Sequence, residues 1–339
     1  MFRGIQCTLY AWEKRALSTL QQQVVVINTY ALSKIWYIAQ VLPIPTNVVK
    51  KLEAASSTFI FRGRPERLKL AELQNPMERG GLGLVCIATK AECLLLRQSL
   101  RVLERKEENC CRHLSHWIGF PLLEHFPFLE NLDPVFQSLP PGFPLHKAIL
   151  EALEEGIVRE EYDPADLKKT CLKLIYKKRA EDILPPPKVE TKFPNIDYAA
   201  CVYPRLANNI LEAEPRDALF PLVHNLQPNR ERLFLQNRSQ DPFCQVPQCH
   251  GKVQDREHIF CSCYLVSEAW VWLRTRLLQL LPTTIGACGI SSQDFLLLNF
   301  PKETMDKEVV WLLGNYCDVV QKVCIVKKRR LSAIQAAGW

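Results

Sequence analysis

Apolar positions recur at helical spacing along much of the chain, and the places where that rhythm stops divide it into segments. Residues 12–41 contain neither Gly nor Pro, and Leu17, Leu20, Val24, Ile27, Leu32 and Ile35 follow one another at three- and four-residue intervals for much of the length. The pattern predicts an amphipathic helix over 12–41, with Asn28 as the place for a break. Pro43 and Pro45 stop it, because proline lacks the N–H that a helix interior needs and restricts the residue before it. Thr46 then offers an N-cap to a second helix over 47–61, in which Val48, Val49, Leu52, Ala55 and Phe59 form one stripe with Lys50 and Lys51 on the other side. Two helices joined by so short a link form a hairpin around one shared core. A third helix is predicted from Thr89 to Arg105, with Ala91, Leu95, Val102 and Leu103 among its apolar positions.

Between these helices lie loops with candidate chemistry. Arg62, Gly63, Arg64, Arg67 and Lys69 form a basic cluster in a loop that begins at Gly63, and flexible cations near a helix end suit phosphate contacts. Asn75-Pro76 and the run from Arg79 through Gly80, Gly81, Leu82 and Gly83 to Leu84 predict a tight turn and an apolar segment rather than a nucleotide loop. Cys110, Cys111, His113 and His116 crowd one end of a segment and read as a polar helix start before Trp117. Pro121, Pro127, Pro134, Pro140, Pro141 and Pro144 make 121–144 a connector with little regular structure. Helices are expected over 145–161, with an acidic face, and from Asp166 to Asp182. Pro185-Pro186-Pro187 reads as an extended spacer and a domain boundary.

Residues 205–240 predict a helix pair carrying Arg230, Arg232 and Arg238 into the segment with the strongest motif. There Cys244, Cys249, His258 and Cys263 stand in the order Cys-x4-Cys, eight residues, His-x4-Cys. Three thiolates and one imidazole complete the tetrahedral shell of a structural Zn²⁺ and leave no position for water, so such a site folds a segment and performs no chemistry. Cys261 is an alternative fourth ligand and His250 an alternative third; ordinary buried, reduced cysteines would give the same residues without a metal. After the motif, Trp270, Trp272, Leu273, Leu277, Leu278 and Leu281 are expected in the core, burial being favoured over stacking of the indoles on a base. A last helix from Lys307 to Ile325 meets Lys327-Lys328-Arg329-Arg330, a run that suits nuclear import, phosphate contact or solubility alike.

Composition narrows the function classes. The 339 residues suffice for two or three domains, and the 14 cysteines are scattered without the rhythm of a disulfide scaffold. They are read as reduced thiols of a nuclear or cytoplasmic protein, with no secretory signal and no membrane span expected. The net charge of +7 is uneven: residues 1–105 hold 15 Lys and Arg against 7 acids, 106–227 hold 14 against 19, and 228–339 hold 14 against 10. Basic lobes flanking an acidic middle favour a polyanionic partner, RNA or DNA, at the ends. The acidic middle is the candidate surface for a protein partner.

Two separated groups of residues carry a family resemblance. Trp12, Arg15, Leu17-Ser18, Asn28, Leu32-Ser33-Lys34, Tyr37, Leu42-Pro43-Ile44-Pro45, Phe59, Gly63, Asn75-Pro76 and Gly80-Gly81-Leu82-Gly83 resemble the segment that follows the polymerase palm in LINE-type (non-LTR) retrotransposon reverse transcriptases. Cys244, Cys249, His258 and Cys263, followed by Trp270, resemble the zinc segment that the same family carries further downstream. The resemblance covers roughly residues 10–105 and 220–275, and implies a helical thumb gripping a template-primer duplex and a C-terminal nucleic-acid-binding element. Contacts to nucleic acid are expected at Lys50, Lys51, Arg62, Arg64, Arg67, Lys69, Arg230, Arg232 and Arg238. The family places its metal-binding Asp-Asp pair upstream of the thumb, whereas this chain contains no Asp-Asp pair, and only a dozen residues precede the thumb-like part. Glu154-Glu155 and Glu160-Glu161 do not replace it, because adjacent helix residues point about 100° apart.

The expected fold is therefore mainly α: a thumb-like helical domain over 1–105, an acidic, Pro-containing helical connector over 106–204, a small Cys-Cys-His-Cys zinc module with flanking helices over 205–290, and a C-terminal helix with a basic tail over 291–339. The expected function is nonenzymatic binding of nucleic acid by the C-terminal part of such a reverse transcriptase. A helical protein-interaction protein, or a decayed reading frame with no selected role, is the alternative.

Overall fold

The computed structural model describes residues 2–15, 17, 19–63, 68–104, 176–177, 180, 183–207, 212–280, 289–300 and 307–336. Among these the protein is mainly α, and the β structure is an isolated antiparallel bridge between Phe243 and Val253. The helices expected over 145–161, the Cys110–His116 segment and the 121–144 connector lie outside the described residues, as do Arg64, Arg67 and most of the helix expected from Asp166 to Asp182. The chain forms two compact units. One is built from Met1–Leu17, Gln22–Asn75 and Gly83–Pro185, the other from Ser18–Gln21, Pro76–Leu82 and Pro186–Trp339.

The helices of the N-terminal half are α1 (Phe2–Glu13), α2 (Leu20–Val26), α3 (Ser33–Ala39), α4 (Thr46–Phe61), α5 (Leu70–Gln74) and α6 (Ile87–Glu104). The helix expected over 12–41 is thus divided: α1 ends at Glu13, and at the place expected for a break, Asn28, a π turn over Ile27–Ala31 joins α2 to α3. That turn has a reason in the sequence. The apolar stripe skips five residues from Ile27 to Leu32, and the Leu32 N–H donates to the Ile27 carbonyl at 2.9 Å, the i to i+5 bond that defines a π turn. The extra residue keeps Ile27, Ala31, Leu32 and Ile35 buried together. Asn28 uses the turn to bridge to the 83–85 segment, its Nδ2 donating to the Gly83 carbonyl at 2.9 Å and its Oδ1 accepting from the Val85 N–H at 3.0 Å.

Thr46 is the first residue of α4 and caps nothing with its side chain; the Pro45 carbonyl accepts from the N–H groups of Val48 and Val49 instead. At the other end Arg62 and Gly63 both adopt positive φ, and the Gly63 N–H returns to the Thr58 carbonyl at 3.0 Å, a left-handed stop. The core that the two expected helices were to share is completed by α6, which packs on both α3 and α4 while α1 packs on α4. Ala39, Ala91 and Leu94 meet there with Trp36 and Ile44 packed against them, and the Lys90 ammonium stands 4.4 Å from the Trp36 ring.

The second unit contains α7 (Lys188–Lys192), a π turn over Tyr198–Val202, α8 (Tyr203–Leu206), α9 (Ala213–Val223), α10 (Arg230–Leu235), a π turn over His258–Ser262, α11 (Ser267–Leu280), α12 (Ser292–Leu297) and α13 (Lys307–Ala336). α9 packs along α13, with Lys322 paired to Glu214 at 2.8 Å and the Gln321 amide donating to the Ala218 carbonyl at 3.0 Å. Leu219, Leu222, Phe295, Leu313 and Cys317 form the sealed interior of this unit. Trp270 fills it from α11, its ring 4.9 Å from Phe295 and 6.4 Å from Tyr316.

Two expectations for this unit are corrected. Trp272 is not core: it is 59% exposed, because it lies two positions, or about 200°, around the helix from the buried Trp270. The last helix does not end at Ile325 but continues to Ala336, so the basic run at 327–330 lies on α13 rather than after it. No Gly or Pro stands between Gly314 and Gly338 to stop it.

Candidate metal centre

The knuckle that holds the first two cysteines is built by backbone bonds. The Phe243–Val253 bridge brings the two arms of the loop together, and the Cys244 N–H donates to the Lys252 carbonyl at 2.8 Å. Between the arms Pro247–Cys249 makes one turn of 3₁₀ helix, which Pro247 starts with its fixed φ. His250 and Gly251 follow at φ of 49° and 71°, and the Lys252 N–H returns to the Cys249 carbonyl at 3.1 Å. A tight turn of this kind needs two left-handed residues in succession, and glycine supplies one without steric cost. His250 is exposed on this turn and is not among the converging donors.

The second pair is placed by the π turn over His258–Ser262. Its closing bond runs from the Cys263 N–H to the His258 carbonyl at 2.7 Å, so the five-residue separation of the imidazole and the thiol is the span of one π turn. Asp255 starts this segment, its Oδ1 accepting from the His258 N–H at 2.6 Å as a helix cap does. Arg256 anchors the start to α9 by donating to the carbonyls of Leu222 and Val223 at 2.9 and 3.2 Å. The Tyr316 hydroxyl, from α13, donates to the Phe260 carbonyl and holds the turn from behind.

These two supports bring Cys244, Cys249, His258 and Cys263 together, with one potential ligand atom from each lying within 4.8 Å of the others and all four residues buried. The Sγ atoms of Cys249 and Cys263 are 3.8 Å apart. The donor set fits a metal ion by three further observations. The His258 Nδ1 is occupied by the Ser262 hydroxyl at 3.2 Å, while its Nε2 is sealed from solvent and has no protein partner. A ring oriented through one nitrogen and left open at the other is how a metal-binding imidazole is held. The Tyr264 N–H points at the Cys249 Sγ at 3.5 Å and the Gln254 amide at the Cys244 Sγ at 3.7 Å, donors that suit a thiolate better than a thiol. Burial pushes the Cys263 thiol up to about 12 and raises that of Cys244, where the neighbouring Cys249 adds to the effect, and it lowers the His258 imidazole. Without a cation the Cys244 and Cys263 thiols and the His258 imidazole are therefore held neutral; a bound cation reverses the balance for those two sulfurs.

Cys261 sits two residues from Cys263 but outside the cluster. It is buried, hydrogen-bonded to Ser292, and raised to about 12 by burial. The π turn decides between the two cysteines, because it sends residue 261 into the helical interior and residue 263 back toward the knuckle. Gln254, Asp255, Ser262 and Tyr264 are the supporting residues that the spacing of ligands does not reveal; only Asp255, three residues before His258, carries a recognisable capping signature.

The residues expected to contact nucleic acid fall into two groups. Lys50, Lys51, Arg62 and Lys69 are exposed, although the Arg62 guanidinium donates to the Leu17 carbonyl. Arg238 is exposed beyond α10. Arg230 and Arg232 are half-buried: Arg230 pairs with Asp241 at 2.8 Å, and Arg232 donates to the Asn225 carbonyl. These two arginines tie α10 to its neighbouring loops. Among the described residues no helix is long and apolar enough to cross a membrane. Comparison with known family models and with curated proteins returned no match to this chain.

Proposed function

We propose that this chain is a nonenzymatic nucleic-acid-binding protein, the C-terminal part of a LINE-type reverse transcriptase without the catalytic palm, folded around one structural zinc ion. The observation that carries the reading is the buried Cys244, Cys249, His258 and Cys263 cluster, whose residues resemble the family's zinc segment in order and position. Three sulfurs and one imidazole nitrogen suit Zn²⁺ by softness and by number, and four protein ligands close the shell. In that role the ion contributes folding free energy to the segment and leaves no position for substrate.

The basic N-terminal residues support the same reading. Lys50, Lys51 and Lys69 are exposed, and Arg238 presents a cation on the approach to the knuckle. Contacts of this kind position a phosphate backbone without reading its bases, so binding is electrostatic and weakly specific. The absence of any Asp-Asp pair from the sequence speaks against polymerase chemistry in this chain.

The test is an equilibrium titration of the purified chain against structured RNA and single-stranded DNA at several salt concentrations, with zinc measured on the same sample. The expected outcome is binding whose logarithm falls linearly with the logarithm of salt, together with zinc equimolar to protein. Folded, zinc-loaded protein that binds neither nucleic acid at low salt would overturn the nucleic-acid role.

A further inference from the structure

We propose that the exposed flank of α11 and α13 beside the metal cluster is a stacking platform for unpaired bases of single-stranded nucleic acid. The proposal rests on the nucleic-acid reading above and assigns it a surface. Trp272 on α11 is 59% exposed and Trp311 on α13 is 52% exposed, although burying an indole is among the largest apolar gains available to a fold. The buried Trp270 on the same α11 does make that gain.

The two exposed indoles share one region. α11 and α13 pack on each other, and the Arg276 guanidinium meets the Glu308 carboxylate across their outer edge at 2.9 Å. Trp272 stands four residues before Arg276 and Trp311 three residues after Glu308, so each indole lies within one turn of that ion pair and on its side of the helix. Tyr264, 60% exposed, adds a third ring at the metal module, since its backbone N–H is the one directed at the Cys249 Sγ.

The surroundings of the rings favour a base over a peptide. The helical neighbours of Trp272 are Glu268, Ala269, Thr275 and Arg276, and those of Trp311 are Lys307, Glu308, Gly314 and Asn315. Among these helical neighbours no aliphatic residue is larger than Ala269, whereas a docked amphipathic helix needs a lining of larger ones. A nucleobase needs only a flat π-face, with cations nearby for its phosphate. Arg274, Arg276 and Lys307 are exposed on the same two helices.

The experiment compares the full-length zinc-loaded chain with Trp272→Ala, Trp311→Ala and the double variant, measuring affinity for labelled oligo(dT) and for a duplex of the same length. Each substitution is expected to weaken oligo(dT) binding about tenfold, to leave duplex affinity and the salt slope unchanged, and to leave helicity and zinc content intact. Trp272→Phe, which keeps a ring, is expected to restore most of the single-strand affinity. Wild-type binding that the substitutions do not alter would overturn this proposal and leave the broader function standing. An equal loss for strand and duplex would also overturn it. Wild-type protein that binds neither probe would overturn both. A protein from nuclease-treated lysate that the double variant alone fails to retain would reassign the surface to protein docking.

Discussion

At the scale of single residues, the metal cluster makes a sharp distinction between neighbours. Cys261 and Cys263 are both buried, and both have thiols raised to about 12, but only Cys263 lies among the converging donors. Cys263→Ser should therefore abolish metal binding with Cys261 still present, while Cys261→Ser should retain it. Metal content by mass spectrometry of the purified variants decides; a Cys263→Ser protein that keeps equimolar metal would sink the assignment. Gly80 offers a second test. It adopts φ of 73°, and a Cβ there would stand 2.3 Å from the Tyr203 Cε1. Gly80→Ala meets both a left-handed backbone and a ring that packs among buried groups, and should cost about 2–4 kcal/mol in denaturant unfolding. A loss under half a kilocalorie, within the usual scatter of surface substitutions, would refute both the backbone and the packing argument.

At the scale of elements, three π turns share one sequence feature. Ile27 and Leu32, Tyr198 and Tyr203, and His258 and Cys263 are each five residues apart, are each buried, and are each closed by a bond from the later N–H to the earlier carbonyl. A five-residue gap between groups that must face inward is too long for an α turn, and one inserted residue resolves it. The rule was present in the sequence at all three places, but a gap of five is also what a broken helix leaves, and only packing separates the two. α9 adds a pH-dependent element. Asp217 accepts the Leu20 N–H at 2.9 Å, and burial raises its carboxyl to about 6 against the opposing effect of the Leu20 and Gln21 amides. Because the folded state holds that proton more tightly than the unfolded state, this group's contribution is full below about pH 4 and is lost as pH rises through about 6. His224, packed on Phe220 with its Nε2 sealed, works in the opposite direction. Burial lowers it to about 4, so its contribution is lost as pH falls from about 6.5 through about 4. Asp217→Asn should raise stability at pH 7 by up to about 3 kcal/mol and leave a profile that declines steadily toward acid. Denaturation midpoints across pH 4 to 7 that match those of the wild type would refute the burial argument.

At the scale of the whole molecule, charge is the property that reaches furthest from the chain. The positive excess in 1–105 and 228–339 is a property of many residues, but the structure sorts them by availability. Lys50, Lys51 and Lys69 are exposed, whereas Arg230 and Arg232 hold α10 in place through Asp241 and the Asn225 carbonyl. Replacing Lys50, Lys51 and Lys69 by Glu should weaken binding to all sequences alike and reduce the slope of log affinity against log salt by about one for each cation in contact. Replacing Arg232 should instead lower stability with little effect on that slope. A salt slope unchanged by the lysine reversals would remove them from the interface.

The sequence by itself determined the helical class, the charge of its two ends and the short set of cysteines and histidines from which a metal's ligands are drawn. Each is set by spacing or composition, which local chemistry reads directly: apolar stripes at three and four, thiols and imidazole at fixed intervals, cations in excess. Only the tertiary structure decided which of Cys261 and Cys263 joins the cluster, that Trp272 faces solvent while Trp270 fills the core, that Arg230 and Arg232 are held internally, and that the break near Asn28 takes the form of a π turn. Those outcomes depend on which face a neighbouring element covers. A residue's own neighbours in the chain do not record that, because residues one or two apart on a helix point in directions that packing alone tells apart.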